Sequence, residues 1–61
     1  MRATEHAKLR AKQRRISAAS IADALTNPLR VVRDGTVEQR RGRTCMVVID
    51  TSTDTIVTVA N

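Results

Sequence analysis

His6, Arg10 and Arg14 stand four residues apart, a spacing that lays three side chains along one face of a helix. Imidazole is the side chain whose ordinary pKa lies nearest neutrality, and guanidinium groups grip phosphate in bidentate fashion. Such a set suits cleavage of RNA through its own 2′-hydroxyl. A base takes the proton, and cations stabilise the crowded phosphorane. The leaving oxygen has no dedicated acid, because the chain holds one histidine and no tyrosine. Glu38, Lys8 or water would have to serve. Lys8, Lys12 and Arg15 belong to the same stretch, so His6 to Arg15 packs five cations into ten residues. Like charges four apart repel on an isolated helix, so an anionic partner explains them better than local stability does. Arg40, Arg41 and Arg43 lie in a second basic block and offer a further clamp if the sheet packs beside the helix. Plainer readings compete. His6 could be a surface or packing histidine, Lys8, Lys12 and Arg15 a solvated face, and Asp23 and Asp50 structural partners of some arginines.

The whole chain shares this bias: eleven Lys and Arg against six Asp and Glu give a formal charge of +5 over 61 residues. That charge favours polyanions, with nucleic acid first and an anionic membrane surface second. No apolar run is long enough to cross a bilayer, and no apolar segment follows the basic start as in a signal peptide. The expected setting is the cytoplasm, with a reduced thiol at Cys45. One small domain spans 1–61, and a domain of this size buries only about 60% of its unfolded surface. Cys45 is the only cysteine, so no internal disulfide forms, and no Cys/His set has metal-ligand spacing. No cofactor is required by any motif. With no aromatic residue, the core must come from Val, Ile, Leu, Ala and Met, which implies oligomerisation or a protein partner.

The elements that must position these groups follow from periodicity. Ala3 to Arg15 reads as a helix, with Leu9 and Ile16 as its large apolar groups and Ala3, Ala7 and Ala11 allowing close packing. Ser17 is a natural N-cap for a second helix over Ala18 to Thr26, which Asn27-Pro28 stops. Period two then takes over. Leu29 to Arg33 and Thr36 to Arg41 read as strands around an Asp34-Gly35 turn, with Val37 inward and Glu38 and Arg40 outward. Thr44 to Asp50 is apolar on both faces and reads as a central strand covered on both sides, with Cys45 an inert core residue. Thr51 to Asp54 is a turn, and Thr55 to Ala60 is the last strand, with Val57 and Val59 on one face. The expected class is α+β: two N-terminal helices followed by a four-stranded antiparallel meander.

The pattern H-A-x-x-R-x-x-x-R-x-I-S is carried by His6, Ala7, Arg10, Arg14, Ile16 and Ser17. A-L-x-N-P follows at Ala24, Leu25, Asn27 and Pro28, and V-V-x-D-G at Val31, Val32, Asp34 and Gly35. V-V-I-D at Val47 to Asp50 and I-V-T-V at Ile56 to Val59 complete the series. Together they resemble a small bacterial and phage family catalogued as domain of unknown function 4258, which itself resembles RelE and BrnT toxins. The resemblance implies a minimal RelE-like fold and a toxin-like, metal-independent ribonuclease of a toxin–antitoxin type system. His6, Arg10 and Arg14 would be catalytic, with Lys8, Lys12, Arg15, Arg40, Arg41 and Arg43 holding RNA. An acidic antitoxin would be the protein partner. The alternative is a module that binds nucleic acid or protein without catalysis.

Overall fold

The computed structural model describes residues 1–61. A two-residue strand β1 (Arg2–Ala3) precedes helices α1 (Glu5–Gln13) and α2 (Ala18–Thr26). Strands β2 (Arg30–Asp34), β3 (Val37–Arg41), β4 (Met46–Asp50) and β5 (Thr55–Ala60) follow. They form one sheet in the order β1-β5-β4-β3-β2, with β1 parallel to β5 and all other pairs antiparallel. The class is α+β, but the sheet is five-stranded and mixed, which corrects the expected four-stranded antiparallel meander.

Thr4 is the physical reason for that correction. Its hydroxyl accepts from the Ala7 amide as the α1 N-cap and donates to the Val57 carbonyl at 3.1 Å. Its own amide donates to the Ile56 carbonyl. The backbone before it is therefore held extended against β5, and helix begins only after it. Val57 is the extra residue of a β-bulge, since Val48 faces Thr58 while Ile49 faces Ile56. The bulge also makes Ile56 and Val59 the buried residues of β5, in place of the expected Val57 and Val59 pair.

Helix α1 closes with a Schellman motif. The Ile16 amide donates to the Ala11 carbonyl and the Arg15 amide to that of Lys12, with Arg15 left-handed at φ 54°. The helix thus stops at Gln13, short of the expected Arg15. Ser17 caps α2, its hydroxyl accepting from the Ser20 amide, and α2 runs over Ala18–Thr26 as its cap and proline predict.

One face of the sheet is covered by the helices. Ala7 and Ala24 from the helices join Cys45, Val47, Ile49, Ile56 and Val59 in the buried cluster, with Ile16, Ile21 and Leu25 packed against it. Leu9, one of the two large apolar groups of α1, is 53% exposed, because the small Ala7 and Ala11 make the close contact instead. At Gly42 a Cβ would lie 2.8 Å from the Ala24 Cβ, so this glycine is what lets α2 sit so close. Cys45 is fully buried, donates to the Ser20 carbonyl, and has its thiol pKa pushed up by burial.

The β2–β3 hairpin departs from expectation by one residue. Asp34 pairs with Val37, so the two-residue loop is Gly35–Thr36, with Gly35 at φ 61°. Glycine at the first loop position fits a type II′ turn, whereas Asp-Gly signals glycine at the second. Pairing with β4 sets Glu38 opposite Ile49 and Arg40 opposite Val47, so both point to the helix side. Glu38 is 3% exposed and Val37 is 39% exposed, the reverse of the expected alternation. Glu38 can occupy that place because Arg40 Nε donates to it at 2.6 Å and Arg33 Nε at 2.9 Å. No helix is long and apolar enough to cross a membrane.

Candidate nucleic-acid interface

The other face of the sheet has no helix over it, so β4 is covered on one side and not on both as expected: Val47 and Ile49 are buried, Met46, Val48 and Asp50 only partly. Register places Arg41, Met46 and Ala60 in one cross-strand row, Gln39, Val48 and Thr58 in the next, and Val37, Asp50 and Thr55 in a third. These rows form an open floor of mixed character. Helix α1 borders it along β5. His6 Nε2 lies 3.1 Å from Thr58 Oγ1, and Arg14 donates to Asn61 Oδ1 at 3.3 Å. Eight residues of helix from His6 to Arg14 cover roughly 12 Å, and three of strand from Thr58 to Asn61 roughly 10 Å, so the two spans match.

The i, i+4, i+8 spacing of His6, Arg10 and Arg14 therefore becomes a stripe laid beside β5. Ala7 and Ala11, one step round the helix, go into the core side. From the sheet, Arg41 donates to the Asn61 carbonyl at 2.8 Å. Arg14 and Arg41 thus converge on one residue from the C-cap of α1 and from β3. Neither Thr58 nor Asn61 carries a sequence signal for this role, since only the fold brings them under α1.

The remaining cations are distributed differently. Lys8 and Lys12 project more than a quarter-turn from His6 and Arg10 at 100° per residue, and Lys8 pairs with Glu5 at 3.5 Å on an exposed surface. Arg15 is exposed beyond the helix end, and Arg43 is exposed in the β3–β4 connection. Arg40 lies on the helix side, bound to Glu38 and, through its terminal nitrogen, to the Leu25 carbonyl at 2.8 Å. The hydrogen bond from Arg40, aided by Arg33, holds the Glu38 carboxyl below its ordinary pKa against the opposing effect of burial. Glu38 is thereby a buried anion, which removes the acid role considered for it. Neither Asp23 nor Asp50 forms an ion pair. Asp50 instead accepts from the Ser52 hydroxyl and amide, which lower its pKa. No three His, Cys, Asp or Glu side chains converge as a metal site.

The sequence model of the family described as domain of unknown function (DUF4258) matches residues 3–61. The chain belongs to that family. No curated protein and no solved structure matches it. Membership in DUF4258 thus stands on the sequence over almost the full chain. In this DUF4258 chain His6 and Arg10 of the opening motif belong to the stripe, and Ser17 serves as the α2 cap.

Proposed function

We propose that this DUF4258 domain acts on RNA in a toxin-like role, using the open sheet face and its α1 border. The observation that carries the reading is the convergence of Arg14 and Arg41 on Asn61, beside a stripe that ends in exposed His6. Arginines 10, 14 and 41 hold backbone phosphates. When His6 Nε2 donates to Thr58, the lone pair of Nδ1 is free to take a proton. His6 then accepts the 2′-hydroxyl proton, the 2′-oxygen bonds to phosphorus, and the bond from phosphorus to the 5′-oxygen breaks. The leaving oxygen takes a proton from water. The products are a 2′,3′-cyclic phosphate and a 5′-hydroxyl, with no metal required in this route. An acidic antitoxin would mask the same cations.

A second reading, binding without cleavage, is favoured by one observation: Glu38 is a buried anion held by Arg40 and Arg33 on the helix side, which removes it as a proton donor beside His6. RNA affinity measured against salt tests what both readings share. Single-strand affinity should fall steeply with salt, and Arg14→Ala or Arg41→Ala should each flatten the slope by about 0.7 to 1. An absence of RNA binding at low salt defeats both readings.

A further inference from the structure

The sheet ends at the two-residue β1 on one side and at β2 on the other, and all five residues of β2 are exposed. β2 carries no proline, bulge or covering segment of the kind that usually protects such an edge. Val31 and Val32 are 43% and 42% exposed, next to an exposed Leu29. Arg30 and Asp34 form no ion pair within the chain. Standing four strand positions apart, they are roughly 13 Å from each other and cannot meet. Arg30 also sits directly opposite Arg41, a like-charge pair across the ladder.

We propose that β2 pairs antiparallel with β2 of a second copy of this chain, in the register centred on Val32. That register sets Arg30 of each copy opposite Asp34 of the other, with the two Val32 side chains in contact between them. The backbone supports it independently. The two-residue loop closes on the Asp34–Val37 pair, so Asp34, Val32 and Arg30 direct their backbone groups toward β3. Val31 and Arg33 direct theirs outward, and the Val32-centred register sets Val31 of one copy against Arg33 of the other, four hydrogen bonds in all. A shift centred on Arg33 would oppose two arginines, and one centred on Val31 would leave Arg30 facing Val32. Only the Val32 register satisfies both charge and hydrogen bonding. Its two-fold axis stands perpendicular to the sheet, so both helical layers lie on one side and both open faces on the other. The product is a ten-stranded sheet in which each Asp34 offsets the Arg30–Arg41 repulsion of its partner.

Charge complementation tests this directly by sedimentation analysis. Wild type should be a dimer in the micromolar range. Arg30→Asp and Asp34→Arg, each folded by circular dichroism, should raise the dissociation constant about tenfold or more, because each sets like charges face to face twice. Mixing the two variants should restore a dimer, since acidic and basic positions then alternate across the seam. Val31→Pro, which removes an outward amide unused within the chain, should also give monomers. A monomeric wild type overturns the proposal. So does a dimer that persists in both single variants, or a mixture that stays monomeric.

Discussion

Glu38 stands directly opposite Ile49 in the β3–β4 ladder, a carboxylate facing one of the most deeply buried side chains of the protein. Its place there depends on Arg40 and Arg33, and removing it leaves Arg40 half-buried without a counter-charge. Glu38→Gln should therefore lower Tm by more than Arg33→Ala, since the Arg33 side chain is largely exposed. The same pairing sets a pH dependence. The folded-state pKa of Glu38 lies below its unfolded value, so its contribution is fully present above the ordinary carboxylate range. It is lost as pH falls through the depressed folded value. Thermal melts between pH 7 and pH 2 should show this acid loss, and Glu38→Gln should reduce it.

Gly42 lets the sheet meet α2. Gly42→Ala drives a methyl group into the Ala24 Cβ and Cα, and should cost about 1–3 kcal/mol of stability by denaturant titration. Adding Ala24→Gly should recover only part of the loss, because backbone atoms of Ala24 are also too close. A neutral Gly42→Ala would contradict this packing.

Arg15 occupies the left-handed position of the α1 Schellman motif, where glycine is the usual residue. Arg15→Gly should raise stability by about 1 kcal/mol, seen as a Tm higher by roughly 4–8 °C. If Arg15 also contacts RNA, the more stable variant binds RNA less tightly. A gain in stability with unchanged affinity removes Arg15 from the interface.

Much of this architecture is legible in the sequence. The Ser17 cap, the Asn27-Pro28 stop and the buried Cys45 are local signals, and local chemistry decides them. β1 was hidden because Arg2 and Ala3 suit a helix, and what holds them extended is Thr4 bonding to residues more than fifty positions away. The inward Glu38 was hidden for a related reason. Alternation cannot tell which face of V-E-Q-R-R turns inward when two arginines stand ready to neutralise the glutamate. The stripe of His6, Arg10 and Arg14 was visible as spacing. Arg41 was visible as one of three candidate clamps, but its partner Asn61, and Thr58 under His6, became visible only once β5 lay beside α1.

The central claim is that the α1 stripe beside β5 acts on RNA through His6. The most direct measurement incubates purified wild type, His6→Ala and Arg41→Ala with total RNA and maps the fragment ends. The account predicts fragments ending in 2′,3′-cyclic phosphate with wild type, none with His6→Ala, and fewer with Arg41→Ala. Cleavage that is unchanged in His6→Ala, or RNA left intact by all three proteins with and without ribosomes, would contradict it.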